Sequence, residues 1–278
     1  MSLYILRIDC PDEKGLVHKV SGVLYHHELN LIRNDEFVDR THGHFYMRTE
    51  FSGECQEEKI LNALRGILPD AVTISLTTQR PKNVVVLATK EHHCLSDLLI
   101  RNAYRDLNLN ILAVVANHDV LRPLVEKFKL PFHLVSHEGM EREAHEAAIL
   151  AAVESYDADY LVLAKYMRIL SAEFQQRYSN RIINIHHSFL PAFVGANPYR
   201  QAFERGVKII GATAHFVNEH LDEGPIITQE VIPVNHTKTW QELAAAGRDV
   251  EKIALAKALK LVLEDRVFVK NNKTVVFE

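Results

Sequence analysis

An amide and an imidazole stand two residues apart at the end of an apolar run, in the segment Ile182-Ile183-Asn184-Ile185-His186. In an extended strand that spacing places the Asn184 and His186 side chains on the same face. A second run, residues 211–217, leads into a glycine-containing loop that offers the carboxylate of Asp222. Ligands of doubly wound sheets bind at the carboxyl ends of strands, so these three side chains are the candidates for catalysis.

These residue types suit attack on an amide-like carbonyl group. The amide of Asn184 can donate to the oxygen on which negative charge develops, and the imidazole of His186 can move protons near neutral pH. The carboxylate of Asp222 can orient a water, relay its proton and favour the charged imidazole. Each residue also has a structural interpretation. Asn184 could cap the strand end, His186 could be a hydrogen-bonded semi-buried histidine, and Asp222 could form a turn.

The elements that would position these residues begin after the polar segment 79–83, where a proline separates two different patterns. Continuous apolar runs then alternate with helical patterns, which predicts a doubly wound, mostly parallel-sheet α/β domain. Thr239, with Glu242 three residues later, is typical of the start of a helix, here a long one reaching about Glu264. The predicted strands are 84–88, 110–116, 132–135, 160–164, 182–185 and 211–217, with a terminal hairpin within 267–277.

The first 80 residues show a different order. Alternating runs at 3–9, 44–51 and 72–77, a shorter run from Asn30, and two amphipathic helical stretches predict a ferredoxin-like βαββαβ unit. We therefore predict two domains, residues 1–80 and 84–278, joined by a linker at 81–83.

Composition excludes several functional classes. Hydrophobic residues make up 47% and the formal net charge is −4, which is typical of a globular protein and argues against a nucleic-acid partner. The cysteines, Cys10, Cys55 and Cys94, are odd in number and far apart, which predicts free thiols in a reducing compartment. The N-terminus does not resemble a signal peptide, and no apolar run is long enough for a bilayer. We expect a soluble, cytoplasmic protein without a membrane partner.

Metal and phosphate motifs are absent from the pattern. The pairs His92-His93 and His186-His187 point to opposite sides of an extended backbone, and no zinc-protease spacing occurs, so we predict no metal site. The loop Thr89 to Cys94, after the first strand of the second domain, contains no glycine and offers no evident phosphate cradle.

Several motifs resemble those of folate-dependent formyl-transfer enzymes. They are Asn184 to Pro191, His215-Phe216-Val217 and Leu221-Asp222-Glu223-Gly224-Pro225. The N-terminal segment Asp9 to Val17 resembles that of an ACT domain, a ligand-sensing βαββαβ module. An ACT domain joined to such a catalytic domain, with His-His-Ser where many relatives have His-Pro-Ser, is similar to the deformylases that act on formyltetrahydrofolate.

The resemblance implies roles for further residues. The folate would bind Tyr166, Met167, Arg168, Ile169, Leu170 and His215. Met167, Ile169 and Leu170 could equally be core residues, and His215 could be structural. His187 is a candidate cavity wall or loop anchor. An amino-acid effector would bind the ACT domain near Asp12, Gly15, Asn30 and Ile32, although many such modules only hold subunits together.

The activity implied is hydrolysis of 10-formyltetrahydrofolate to formate and tetrahydrofolate, which supplies formate for purine synthesis and balances one-carbon pools. The folate is the substrate and no other cofactor is expected. Formyl transfer to a small amine is the alternative, and a folate sensor without turnover is another. We also expect a homo-oligomer formed through ACT domains, because small sheets with exposed edges seek partners.

Overall fold

The computed structural model describes residues 2–192 and 197–278 of the chain, which divide into two compact units. The first unit runs to Arg80 and also contains Glu264–Phe268 and Phe277–Glu278, and the second comprises Pro81–Leu263 and Val269–Val276. The elements are β1 (Leu3–Pro11), α1 (Leu16–His26), β2 (Asn30–Asp39), β3 (His44–Ser52), α2 (Glu57–Arg65), β4 (Thr73–Thr78), β5 (Lys82–Ala88), α3 (His93–Tyr104), β6 (Leu109–Ala116), α4 (Arg122–Lys127), β7 (Phe132–Leu134), α5 (Arg142–Glu154), β8 (Tyr160–Ala164), α6 (Ala172–Arg177), β9 (Ile182–His186), α7 (Pro198–Glu204), β10 (Ile209–Phe216), β11 (Ile226–Pro233), α8 (Trp240–Leu263), β12 (Val267–Lys270) and β13 (Lys273–Val276).

The first unit has the predicted βαββαβ order. Its sheet is antiparallel throughout, in the order β2-β3-β1-β4. The helices bury alternate side chains of the sheet, and Ile8, Phe51, Val20 and Leu64 belong to this core. The predicted ACT-like fold of this unit is confirmed.

The other face of β3 is buried as well, which the alternating pattern did not indicate. Tyr46 packs against Phe268 with ring centroids 5.5 Å apart, and Arg48 is only 1% exposed. Arg48 donates to the backbone carbonyls of Glu264 and Asp265. These residues and Phe268 lie in the short C-terminal segment Glu264–Phe268, which belongs to this unit. The predicted division at 84–278 placed this segment with the second domain, because sequence order alone cannot show where a returning tail packs.

The second unit is built on a seven-stranded sheet in the order β11-β10-β9-β8-β5-β6-β7. Strands β9, β8, β5, β6 and β7 are parallel, whereas β10 runs antiparallel to both β9 and β11. The predicted doubly wound, mostly parallel sheet is confirmed. The chain leaves β5 toward β6 on one side and returns to β8 on the other, so the strand order reverses between β5 and β8. Ligand sites of such sheets lie at this reversal.

Some boundaries and elements differ from the prediction. Lys82 and Asn83, expected in the linker, already belong to β5, because they pair with Leu109 and Asn110 in parallel register. Strand β11 and helices α6 and α7 were not predicted, since short amphipathic segments give a weak periodic signal. The start of α8 was predicted well. Thr239 and Glu242 exchange hydrogen bonds, with the Thr239 N–H donating to Glu242 Oε2 at 2.7 Å.

No helix within residues 2–192 and 197–278 combines the length and the apolar character needed to cross a membrane.

Candidate active site

A cavity of about 600 Å³ lies in the second unit at the carboxyl ends of the parallel strands. Its wall is formed by the segments that follow β8, β9 and β10 and by one face of α8. The side chains on that helix face recur at helical spacing: Trp240, Ala244, Arg248 and Glu251. Asn184, His186 and Asp222 all line this one cavity, as the catalytic hypothesis requires.

Strand pairing brings Asn184 against His215. In the antiparallel ladder of β9 and β10 the two residues are direct partners, and Asn184 Nδ2 lies 3.2 Å from His215 Nε2. His215 Nδ1 lies 2.8 Å from the Phe216 carbonyl, which can only accept, so Nδ1 carries the proton. The amide of Asn184 therefore donates to Nε2 of a neutral imidazole.

Burial supports this protonation state of His215. The residue is only 2% exposed, and its burial lowers the pKa of the imidazole although the Phe216 carbonyl and the Asp222 carboxylate act in the opposite direction. The neutral ring fixes which way the Asn184 amide faces, with its nitrogen toward the inner wall of the site.

His186 and Asp222 form the second contact of the site. His186 Nδ1 lies 3.1 Å from Asp222 Oδ1, and His215 Nε2 lies 3.8 Å from the same oxygen. Burial acts to raise the pKa of the Asp222 carboxyl, but the hydrogen bond from His186 and the electrostatic effect of that imidazole outweigh it, and the pKa is lowered. The carboxylate is therefore ionised at neutral pH.

The loop that carries Asp222 is held tightly against β10. Asp222 adopts a left-handed conformation with φ +59°, which costs energy for a residue with a side chain and often occurs at functional sites. A Cβ at Gly224 would lie 1.7 Å from the Phe216 carbonyl oxygen, so only glycine permits this approach. The two features together place the carboxylate beside His186.

One ring nitrogen of His186 has no hydrogen-bond partner among the described residues. Its Nε2 is buried and makes no hydrogen bond with any residue that the structure describes, while Nδ1 faces Asp222. The residue is 5% exposed and lines the cavity. A buried polar atom without a partner is costly, which is why such an atom in a cavity wall indicates a ligand position.

The segment after β9 is held in place by Thr213 of strand β10. Thr213 Oγ1 donates to the Ser188 carbonyl at 2.8 Å and accepts from the Leu190 N–H at 3.0 Å.

His187 is neutral near physiological pH because burial, helped by the charges of Lys165 and His186, lowers the pKa of its imidazole to about 4. His187 lines the cavity, as predicted for a wall residue.

The segment predicted to bind folate also lines the cavity. Met167 and Ile169 are 58% and 57% exposed, so they are not core residues, whereas Tyr166 and Leu170 are buried. The Met167 N–H donates to Thr89 Oγ1 at 2.9 Å, which ties this segment to the end of β5. Arg168 and His215, the other two predicted contacts, lie in the same wall.

The residues predicted to bind an effector lie on the surface of the first unit. Asp12 is in the loop before α1, and Gly15 precedes that helix with φ +88°. Asn30 begins β2, an edge strand, and Ile32 lies at a register shift in its pairing with β3. The cavity described in this unit is elsewhere, on the α1 and α2 faces, and these four residues do not line it.

Four residues of the catalytic cavity region were not anticipated: His93, Lys165, Tyr199 and Glu251. They form a buried cluster in which Glu251 is the common acceptor. The sequence contains one signal that could have identified it. Glu251 lies next to Val250 and Ala254 on the buried side of α8, where a carboxylate is unexpected without a partner.

His93, Cys94 and Glu251 are the one group in the described residues whose atoms lie close enough, within 4.8 Å, to hold a metal. Two features argue against a cation there. The Lys165 ammonium is 3.3 Å from Glu251 Oε2, and burial raises the pKa of the Cys94 thiol well above its usual range.

Comparison with known families divides the chain in the same way as its fold. The formyl transferase family model matches residues 82–259, and the ACT domain model matches residues 4–69.

Individual relatives agree over the full length. A formyltetrahydrofolate deformylase of Haemophilus influenzae is 54% identical over 272 residues, which cover 98% of each chain. The crystal structure of a formyltetrahydrofolate deformylase from Pseudomonas syringae is 41% identical, with TM-score 0.95, covering 100% of this chain and 95% of that one. A glycinamide ribonucleotide transformylase from Symbiobacterium toebii is 28% identical, with TM-score 0.68, covering 71% of this chain and 94% of its own.

Proposed function

The chain belongs to the formyltetrahydrofolate deformylase family, and on that premise we propose that its cavity hydrolyses 10-formyltetrahydrofolate with Asn184, His186 and Asp222 as the catalytic residues. The oxygen of a water molecule bonds to the formyl carbon, and the bond from that carbon to the folate nitrogen breaks. Water loses two protons: the folate nitrogen gains one, and the other is released to solvent as formic acid ionises. The products are formate and tetrahydrofolate.

Asn184 stabilises the oxygen of the formyl group as it becomes negative. One N–H of its amide donates to neutral His215, which leaves the second N–H of the same nitrogen for the substrate. A donor that is already oriented costs no reorganisation in the transition state, which is what makes such groups effective. We assign His215 as a positioning residue that acts through Asn184.

His186 stabilises the charge that develops on the formyl oxygen, and Asp222 transfers the proton of the water. The ionised carboxylate, 3.1 Å from His186 Nδ1, holds the ring in place and stabilises the imidazolium. His186 Nε2–H then donates a hydrogen bond to the formyl oxygen, beside the amide of Asn184. The second oxygen of Asp222 orients the water, receives its proton and returns it to the folate nitrogen.

The pterin ring packs in the apolar part of the cavity. Met167 and Ile169 expose their side chains there, and the backbone of the segment from Tyr166 to Leu170 offers polar groups to the edge of a flat ring. Arg168 in the same wall suits the negative charge of a folate tail.

The observation that carries the proposal is the continuous set of contacts from Asn184 through His215 and Asp222 to His186, each within 4 Å, in one cavity. The test is formate release from 10-formyltetrahydrofolate without any added acceptor, with the wild type beside Asp222→Asn. We expect steady formate release from the wild type and a loss of roughly 10³-fold or more in the variant.

Wild-type protein that binds the folate tightly but releases no formate would contradict hydrolysis and indicate a folate sensor. Formate release that depends on an added amine would indicate formyl transfer instead. An Asp222→Asn variant with undiminished activity would contradict the assigned role of the carboxylate.

We further propose that the enzyme works in the cytoplasm and that its formate supplies purine synthesis. It needs no cofactor besides the folate substrate in this mechanism. The free thiols of Cys10, Cys55 and Cys94 fit a reducing compartment. Formate that fails to support growth of a purine-requiring deletion strain would contradict the supply role.

The ACT unit is proposed to bind an amino acid tied to one-carbon supply, such as glycine or methionine, and to pair with its counterpart in a second subunit. The exposed edge strand β2, with the apolar Ile32 52% exposed, supports such pairing. Amino-acid titrations that change neither the rate nor the melting temperature would contradict the sensing role. A monomer in light scattering would contradict the pairing of ACT units.

A further inference from the structure

A buried polar network forms part of the cavity region without belonging to the catalytic set. Glu251 is 1% exposed, accepts two hydrogen bonds and forms one ion pair. The Tyr199 hydroxyl donates to Oε1 at 2.6 Å, His93 Nε2–H donates to Oε2 at 2.7 Å, and the Lys165 ammonium lies 3.3 Å from Oε2. Both carboxylate oxygens are thus engaged by the protein itself.

Unusual local geometry at two positions, Lys165 and Gly247, allows this network to form. Lys165 directly follows β8 in a left-handed conformation with φ +61°, and it is buried. The Tyr199 ring lies on the bare Cα of Gly247 in α8, where an added Cβ would be 2.1 Å from Tyr199 Cζ. The glycine therefore makes the space that the tyrosine ring occupies.

The network lies next to the catalytic residues. The rings of His186 and His187 have centroids 5.1 Å apart, and those of His187 and Tyr199 are 6.3 Å apart. Tyr199, Lys165 and Glu251 line the same cavity as Asn184 and Asp222. A row of three rings thus leads from the reaction centre to the network.

An acceptor larger than water needs space beside the formyl carbon and polar groups to hold it. The Tyr199 ring takes up space at this side of the cavity, where it packs on the bare Cα of Gly247. We propose that Tyr199, positioned by Gly247 and Glu251, restricts the formyl acceptor to water and so determines hydrolysis over transfer. This inference rests on the proposed function.

The competing reaction is defined by its chemistry. The nitrogen of a primary amine would bond to the formyl carbon as the bond to the folate nitrogen breaks. The amine would lose one proton and the folate nitrogen would gain one, giving a formamide and tetrahydrofolate. No oxidant or further reactant is needed.

The test uses the full-length enzyme with 10-formyltetrahydrofolate and either glycinamide or hydroxylamine as the probe. Formate and formylated amine are quantified together for the wild type, Tyr199→Ala and the matched variant Tyr199→Phe. We expect the wild type to give formate alone. Tyr199→Ala should raise the ratio of formylated amine to formate at least about tenfold, whereas Tyr199→Phe, which keeps the ring, should resemble the wild type.

Formate as the sole product of folded Tyr199→Ala overturns the proposal, as does amine transfer by the wild type or equal transfer by Tyr199→Phe. If Tyr199→Ala does not fold, Gly247→Ala decides, because alanine suits a helix and its Cβ must displace the ring. Amine transfer by that variant supports the proposal, and its absence overturns it. A wild type that releases no formate contradicts the proposed function instead, so the two failures are distinguishable.

Discussion

Each unit of the molecule contains a largely buried pair of a basic and an acidic side chain, and the two pairs differ in what they leave unbonded. In the first unit, Arg48 donates Nη1 to Glu50 at 2.6 Å, Nη2 to the Glu264 carbonyl at 2.8 Å, and Nε to the carbonyls of Glu264 and Asp265 at 3.2 Å. In the second unit, His186 bonds Asp222 through one ring nitrogen and leaves the other without a partner among the described residues.

The difference separates a pair enclosed by its own unit from a pair that lines a cavity. Each of the three Arg48 nitrogens donates to a group of the same unit and the side chain is only 1% exposed, so the pair stabilises the fold and lies out of reach of a ligand. The unbonded nitrogen of His186 lies in a cavity wall, where a substrate can supply the missing partner. Buried charge alone therefore does not identify a site, whereas buried charge with remaining bonding capacity does.

The sharpest test of this comparison is His186→Ala. We expect kcat/KM for formate release to fall about 10³-fold, because the group that meets the formyl oxygen is lost. The folded variant should lose far more activity than stability, although Asp222 loses the hydrogen bond that it shares with His186 Nδ1. Exposed His236 offers a matched control, and His236→Ala should retain wild-type activity. A variant that loses stability rather than activity would break the comparison.

Asn184→Asp should have the next largest effect. Aspartate keeps the shape of the side chain but, when ionised, has no hydrogen-bond donor, so kcat should fall roughly 10²- to 10³-fold. Steady-state kinetics should show this loss in kcat with little change in KM, because the donor acts in the transition state. A rise in KM alone would mean that Asn184 only holds the substrate.

Arg48→Met tests the structural pair. It leaves the Glu50 carboxylate and two backbone carbonyls without their donor, which should lower the free energy of unfolding by about 3 kcal/mol. The rate per folded molecule should stay within about twofold of the wild type. Urea unfolding and formate assays measure the two effects. The exposed pair of Arg177 and Glu154 supplies the control, since Arg177→Met should cost less than about 1 kcal/mol.

Glu251→Gln should have the smallest effect, and its size should depend on pH. Burial raises the pKa of the Glu251 carboxyl, but the hydrogen bond from His93 and the charge of Lys165 outweigh it and lower the pKa from 4.5 to about 2. The ionised group therefore contributes stability above the ordinary value, and this contribution is lost as pH falls toward the folded value. We expect the variant to be about 2 kcal/mol less stable at neutral pH.

Melting temperatures of the wild type and Glu251→Gln, measured from about pH 7 down to about pH 3, should converge as pH falls. A difference that stays constant across this range would show that the charge of Glu251 does not stabilise the fold.

Much of the fold followed from periodicity. The apolar runs that became β6, β8 and β9 are continuous because both faces of a parallel sheet are covered, and this pattern is local in the sequence. Strand β11 was missed, since it follows a tight turn and is partly exposed, so neither a continuous nor a clear alternating pattern identifies it. The burial of Arg48 was missed because the covering residues are more than 200 positions away.

The site was predictable only in part for a related reason. The spacing of Asn184 and His186 is a local property of one strand, and the loop of Asp222 carries a recognisable motif. The neutral state of His215 and its bond to Asn184 depend on antiparallel pairing between two strands. The cluster around Glu251 joins residues from α3, α7, α8 and the end of β8, which no local pattern connects.

The sequence by itself determined the residue types that can do the chemistry, the order of the two folds and the family, because these depend on composition and short-range spacing. Only the tertiary structure decided which hydrogen-bonding atoms have no partner among the described residues, which imidazole is neutral and which ring packs on Gly247 in the cavity wall. Those properties depend on distances between residues far apart in the chain, and the cost of burying a polar group depends on the neighbour that folding provides.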